Sequence, residues 1–562
     1  MTLRRLVVWL LCWVMAAQSL AAVVAAPDVV LFNGRLDGTQ STALAIKGDT
    51  IVAVGSDSDM TKLVGPHTRR VNLRGHWVLP GFNDAHVHLL SGGLELMRVD
   101  LHGARSIEDL QSRLKAQAQH VPLGQWIQGS GWDETLFDHK RWPTRFDLDA
   151  VVSDRPVVLE RTDGHAAVVN SRALALLSIS RHSIDPPGGV IEKDAQGEPT
   201  CVIKDAAMNA LAATIPALSA QSRQAALLAG MRYAASLGVT TVQDMSTGYL
   251  DSDEANVLAL KRLEQAGKMP IRVYVAIALH SLEPSSRERA HQLVQMPATP
   301  FLKVGGFKAF ADGSVGSRTA YFHEDYADQP NQRGLLGEDF QNLDRFDSWL
   351  LDAKSLGTQV CTHAIGDAAV DVALNAYERL FKGSSEDRRF RIEHAQHLTE
   401  RSIQRMASLN VIASMQPYQG IDDGRWVGVR VGAKRLRYSY PWASLANAGV
   451  RLAFGTDWPV VPLEPWAGVY AATVRVPLDG SHPDGWADGE KLTLRQAIDA
   501  YTVGSAVAEF SEAHKGRIAV GQWADLVEWE KEIFDRPLVD LRDNRPVRTW
   551  VGGKLVYQHS SH

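Results

Sequence analysis

The feature that most restricts the fold of this chain is a series of strand-sized apolar runs separated by helix-compatible sequence. They are HWVLPGFNDAHVH (76–88), TTVQDM (240–245), IRVYVAI (271–277), FLKVGGFKAFAD (301–312), TQVCTHAIGD (358–367), RFRIEHAQ (389–396), NVIASMQP (410–417) and VRLAFGTD (450–457). Between them lie stretches such as AAVDVALNAYERLF (368–381). Alternating strand and helix implies a parallel sheet, and eight repeats fit a (β/α)8 barrel. About 100–230 is too long for a single βα unit and reads as a subdomain inserted over the barrel mouth after the first strand. Before and after the barrel the text changes to short β-rich runs with Gly and Asp turns, VVLFNG and ALAIKGDTIVAVG at one end and GRIAVGQWADLVEWE and VRTWVGGKLVYQ at the other. These predict one β domain built from both termini, 27–79 with 513–558, flanking a barrel over 80–512.

Residues 1–26 stand apart. Arg4 and Arg5 precede an apolar core, Leu6 to Ala17, and Ser19-Leu20-Ala21 offers small residues for cleavage. This predicts a signal peptide over 1–21 and an exported, periplasmic or secreted chain. The competing reading is an uncleaved anchor, since Leu6 to Ala26 is long enough to span a bilayer at about 20 residues. Two cysteines remain after cleavage, Cys201 and Cys361, enough for one disulfide but without a framework. A net charge of −5 and no basic stretch beyond the first residues argue against nucleic-acid binding.

The chemistry collects at strand ends. His86 and His88 are two apart, so in a strand both imidazoles share a face and can reach one metal. With 19 histidines in the chain, that spacing alone is a weak signal. It gains weight because Lys308, His363, His394 and Asp457 close four other runs, at the end of a barrel where function resides. Taken singly, His363 or His394 reads as a satisfied core histidine, Lys308 as an ion-pair partner and Asp457 as a turn or N-cap acid. Six such residues at matching positions point instead to a metal centre.

These motifs carry a resemblance. PGFNDAHVH, THAIGD, EHAQ, FGTDWP and FKAFADGSVGSRTA, with GVTTVQDM, QGEPTCVIKDAAM, LTLRQAIDAYTVGSA and GQWADLVEW, resemble the amidohydrolase superfamily, specifically its family-3 branch of N-substituted formamide deformylase-like proteins. The match runs from about Val29 to Tyr557. It implies a deformed (β/α)8 barrel beside a β-sandwich from both termini, and a divalent metal centre, most often two zinc ions. By the same resemblance His86 and His88 hold the more buried metal and His363 and His394 the more exposed one. Lys308 bridges them as a carboxylated lysine, and Asp457 touches the first metal and carries protons. The implied reaction is hydrolysis of a C–N bond in a small amide, formamide or cyclic amide by a metal-activated hydroxide. Ester hydrolysis or deamination at the same centre is the alternative, and an exported binding protein on this scaffold a third reading. No G-x-S-x-G elbow occurs, so no serine nucleophile competes.

Trp132, Asp133, His165 and Gln416 are further candidates for the substrate pocket, although the TDGH segment before His165 reads equally as a helix N-cap through Asp163. One departure is visible. Cys201 stands where relatives usually have Gly, and a thiol there either tunes specificity or packs as a small hydrophobe. Cys361, two before His363, is either a thiolate ligand or a packed barrel residue.

Overall fold

The computed structural model describes residues 26–559 except 162–165, 187–188, 217, 248–249 and 383–385. The expected signal segment and His165 therefore lie outside the described residues. No described helix is long and apolar enough to cross a membrane.

Eight parallel strands form one sheet in chain order: β1 (Phe82–Val87), β2 (Val239–Met245), β3 (Arg272–Ala278), β4 (Leu302–Phe310), β5 (Gln359–Ala364), β6 (Arg391–His394), β7 (Ile412–Met415) and β8 (Leu452–Phe454). A parallel bridge between Val87 and Trp458 brings the last strand back to the first, with His88 N donating to Trp458 O at 2.8 Å. The expected (β/α)8 barrel is present. Every residue of β1, β2 and β3 is buried, which is why these runs show no polar alternation: helices cover one face and the barrel interior the other.

The first sequence run, 76–88, is two strands rather than one. Trp77–Pro80 belongs to a five-stranded sheet with Arg35–Leu36, Leu526–Trp529, Pro546–Val551 and Lys554–Gln558. Gly81 is the crossing point into β1. A Cβ there would lie 2.1 Å from Thr240 Oγ1, so only glycine allows the chain to pass. A four-stranded sheet of Val29–Phe32, Ala43–Lys47, Thr50–Gly55 and Arg69–Asn72 faces the five-stranded one. Leu31, Ile46, Val78, Leu526 and Trp550 form their common core, so both ends of the chain contribute to one β-sandwich.

The insertion is a six-stranded sheet running in order Gly189–Lys193, Pro199–Asp205, Ala166–Val169, Val157–Arg161, Ile127–Trp132, Val99–Asp100. It has its own core, including Leu110, Leu159 and Ile203. The expected bound of about 230 runs too far. Helix α1 (Leu89–Leu96) follows β1, and α2 (Ala220–Ser236) packs on it and leads into β2. At that contact a Cβ on Gly93 would come within 2.0 Å of Ala226 O. Residues 220–236 thus belong to the barrel wall, and a helix of that kind cannot be told from insertion sequence without its packing partner.

Candidate metal centre

Strand alternation puts Asp84 and His86 on one face of β1, and His88 follows just past its end as the N-cap residue of α1. Asp84 ties β1 to the end of β8, accepting from His86 N at 3.2 Å, Thr456 N at 2.9 Å and Thr456 Oγ1 at 2.7 Å. Burial pushes its carboxyl up to about 7. The approach requires glycine at 455, where a Cβ would stand 2.5 Å from His86 N. Two residues on, Asp457 N donates to His86 O at 2.7 Å, and Asp457 adopts φ +66°. That left-handed backbone is costly for most side chains, and Asp and Asn tolerate it best.

The partners of the two imidazoles fix which nitrogens face the centre. His88 Nδ1 lies 2.9 Å from Met245 O, a pure acceptor, so this nitrogen carries the proton. His86 Nδ1 lies 2.7 Å from Glu393 Oε2, whose other oxygen is paired with Arg391 at 3.1 Å. Each ring therefore turns Nε2 inward, toward Asp457 Oδ1 at 3.5 Å from His86 and 3.1 Å from His88. Together these three donor atoms lie within 4.8 Å of one another. Burial and the charge of Lys308 hold His86 well below its usual pKa, keeping it neutral. Burial also pulls His88 down, but the Asp457 carboxylate beside it outweighs burial and the net shift is upward. For Asp457 burial is likewise opposed, and His86, His88 and Lys308 leave its carboxyl below the ordinary range.

The remaining candidates adjoin this group. Lys308 Nζ is 3.5 Å from His86 Nε2 and sits 5.1 Å over the Phe310 ring. Burial lowers its pKa, and no salt bridge to it occurs among the described residues. The His394 ring centroid is 5.0 Å from His86 and 4.4 Å from His363. Burial depresses both histidines well below the usual value. His363 Nε2 donates to Gly313 O at 3.1 Å and His394 Nδ1 to Gln416 Oε1 at 2.8 Å, which leaves one nitrogen on each ring for a ligand. His394 reaches the centre by breaking the alternation of β6. Arg391 and Glu393 point inward, so the next residue should point out, but φ values of +74° and +44° at His394 and Ala395 turn the chain into the mouth.

Two imidazole nitrogens and a carboxylate oxygen are a donor set suited to zinc or a similar divalent ion. Asp457 Oδ1 is buried and receives no hydrogen bond, as an atom reserved for a cation would. The carboxylate behind His86 is the usual second partner of a metal-binding imidazole. The residues fit the metal.

Not every sequence candidate belongs here. Trp132 is fully buried in the inserted sheet, donating Nε1 to Leu159 O at 2.8 Å and packing edge-on against Trp142, so it serves that core and not the centre. Asp133 lies 3.7 Å from Arg161 in the same subdomain. Gln416 acts by holding His394. Cys201 and Cys361 are both free and buried. Cys201 is a core residue at φ +113°, a conformation that favours glycine, and burial pushes its thiol up to about 12. Cys361 accepts from the Arg391 guanidinium at 3.1 Å and stands outside the donor group. Glu393, Arg391 and Gln419 were absent from the sequence candidates. A charged pair two apart in an apolar strand, R-I-E, was the available signal, since buried charges need partners.

The chain is similar to known proteins. The amidohydrolase family model matches residues 69–557. The protein LONG AFTER FAR-RED 3 of Arabidopsis thaliana is 34% identical over 94% of this chain and 91% of its own length. N-substituted formamide deformylase of Arthrobacter pascens is 27% identical, covering 95% and 99%. The crystal structure of an uncharacterized metal-dependent hydrolase from Pyrococcus horikoshii superimposes with TM-score 0.73 at 30% identity, covering 91% of this chain and 99% of that one. With a family match over most of its length, a metal-dependent hydrolase for a structural neighbour and a candidate metal-binding triad at the barrel mouth, the chain belongs to the amidohydrolase family and is a hydrolase of non-peptide C–N bonds.

Proposed function

We propose that the protein cleaves the C–N bond of a small amide, formamide or cyclic amide at a two-zinc centre held by His86, His88, Lys308, His363, His394 and Asp457. The observation that carries this reading is the convergence of His86 Nε2, His88 Nε2 and Asp457 Oδ1 within 4.8 Å. A bound divalent ion supplies Lewis acidity, which polarises a carbonyl and lowers the pKa of water to ~7. The chain supplies the rest. Asp457 Oδ1, free of hydrogen-bond donors, takes the proton of the attacking water and returns it to the leaving nitrogen. Glu393 and the Met245 carbonyl hold His86 and His88 in the tautomers that offer Nε2. Gln416 does the same for His394.

In this reading Lys308, as a carbamate, would supply the shared oxygen ligands. Its amine is buried beside His86 with a lowered pKa, so the neutral nucleophilic form is accessible. Attack of the neutral amine on CO₂ would form the carbamate N–C bond, with one C=O electron pair moving onto oxygen and one amine proton leaving to solvent; counted from the ammonium, two protons are lost and two oxygens that could hold a cation are gained. Export is also part of the proposal, resting on the Arg4-Arg5 start, the apolar core and Ser19-Leu20-Ala21. N-terminal sequencing that begins near Ala22 supports it, and an intact Met1 in a membrane fraction counts against it.

The test is a panel of N-formyl, N-acyl and cyclic amides assayed on the metal-reconstituted mature chain, with elemental analysis of the active protein. About two zinc ions per chain and amide turnover abolished by chelation are expected. Full turnover in metal-free protein overturns the proposal.

A further inference from the structure

Asp457 is held on one side only. Its Oδ2 accepts from Gln419 Nε2 at 3.0 Å, while Oδ1 faces the two imidazoles. Gln419 Oε1 in turn accepts from Gln396 Nε2 at 2.9 Å. All three side chains are buried, with 5%, 8% and 6% exposure for Gln396, Gln419 and Asp457, so water does not compete for these bonds.

We infer that Gln396 and Gln419 are a positioning pair that fixes which oxygen of Asp457 is presented to the metal-facing histidines. A glutamine amide has one donor end and one acceptor end. Because Gln396 donates to the oxygen of Gln419, the nitrogen of Gln419 is the end directed at Asp457. Reversing it would set two acceptors against each other in a buried site, an arrangement that costs the desolvation of both. Gln419 can therefore only donate, and it keeps Oδ2 occupied so that Oδ1 alone is free. The neighbouring turn makes the complementary choice. Gln416, three residues earlier and joined to Gln419 by its own backbone carbonyl, offers an oxygen to His394. One short segment after β7 thus presents an acceptor to a histidine and a donor to the acid. The chain of contacts links the end of β6 through the segment after β7 to the end of β8, holding three neighbouring loops in register.

This inference rests on the reading of Asp457 as a metal-facing proton carrier, and zinc binding tests it apart from turnover. Gln419→Met keeps length and volume but removes the donor. In the metal-free protein, a chelator-competition titration should show zinc affinity reduced ~10–100-fold, the usual effect of losing an outer partner of a ligand. At saturating zinc kcat should fall while KM stays near the wild-type value. Gln396→Met should produce a smaller loss of the same kind, and in the double variant it should add nothing further, because Gln396 acts only through Gln419. A packing role predicts additive losses of stability with normal zinc affinity. Folded Gln419→Met with wild-type zinc affinity and kcat overturns the inference, as does full additivity of the two substitutions. Should Gln419→Met fail to fold, Gln396→Met decides, and wild-type zinc affinity there overturns it. Zinc binding without turnover of any amide by the wild type would reject the proposed amide substrate and leave the titration to judge the pair.

Discussion

Replacing Asp457 with asparagine tests the proposed mechanism at its central residue. The structure makes this substitution unusually clean. Asp457 sits at φ +66°, where asparagine is among the few residues that fit without further strain. Gln419 donates to Oδ2, so the introduced amide will place its oxygen there and turn its NH₂ toward His88 Nε2, now 3.1 Å from Oδ1. The new group cannot accept a proton from water, and it offers a donor where a ligand atom stood. Loss of general acid–base transfer is worth roughly 10² to 10⁴ in kcat, or about 3 to 5 kcal/mol of barrier. KM should change little, since the lost interaction acts in the transition state. Zinc affinity should also weaken, so the assay is run at saturating zinc with occupancy measured by elemental analysis, alongside the thermal midpoint. An acid serving only as a turn or N-cap would cost about 1 kcal/mol of stability with near-normal turnover. Retention of kcat within about threefold at full occupancy, far below the usual worth of a proton carrier, would refute the assignment.

Lys308→Ala should lose zinc and activity together, and short carboxylic acids added with the metal should restore part of both by resupplying the bridging oxygens; a wild-type mass lacking one added CO₂ under native conditions would remove the bridge from the mechanism. At φ +113° glycine should outperform alanine, so Cys201→Gly is expected to be more stable than Cys201→Ala by about 1 kcal/mol, read by chemical denaturation. The opposite order would show that the backbone there is not strained. His397 is a buried histidine held by Ser439 Oγ at 2.8 Å, its pKa lowered to about 3 by burial. A lowered folded pKa gives stability that is present above the unfolded value of about 6.5 and lost as pH falls below it, here about 2 kcal/mol between pH 7 and 5. Comparing the pH dependence of wild type and His397→Asn should reveal a difference of that size, and parallel curves would contradict it.

Much of the site could be read from order along the chain because barrel strands deliver their last inward residue to one common place. His86, Lys308 and His363 lie on their strands, and His88 and Asp457 follow just past the ends of β1 and β8. His394 also closes its run, yet its inward placement depends on two positive-φ residues that no periodicity reveals. The failures have similar causes. The run 76–88 looked like one strand because hydropathy does not change where the chain crosses from sandwich to barrel; only the contact between Gly81 and Thr240 marks the break. Trp132 looked like a pocket residue because an aromatic beside an acid is ambiguous in sequence, and its indole proved to be satisfied by Leu159 within the inserted core.

The outer layer of the centre, beyond the R-I-E signal, was hidden for a deeper reason: it is assembled across strands far apart in sequence, from residue types that hydropathy treats as surface. Glu393 connects His86 to Arg391, and Arg391 passes on to Gln243 Oε1 at 2.6 Å and the Cys361 sulfur at 3.1 Å. Gln243 donates to Asn83 Oδ1 at 3.1 Å, and Asn83 to Glu509 Oε1 at 2.7 Å. The barrel interior beneath the site is therefore a connected polar network where branched apolar side chains are the common filling. Burying those groups is tolerable only because nearly all are paired, and breaking one link leaves a neighbour unpaired at about 1–3 kcal/mol, more where a charge is exposed to the interior. That cost is what holds Glu393 in place. A carboxylate anchored by Arg391 cannot swing away from His86, and an imidazole so held keeps Nε2 turned inward before any metal arrives. The same residues that make the barrel core look unsuited to folding thus make the centre rigid in advance.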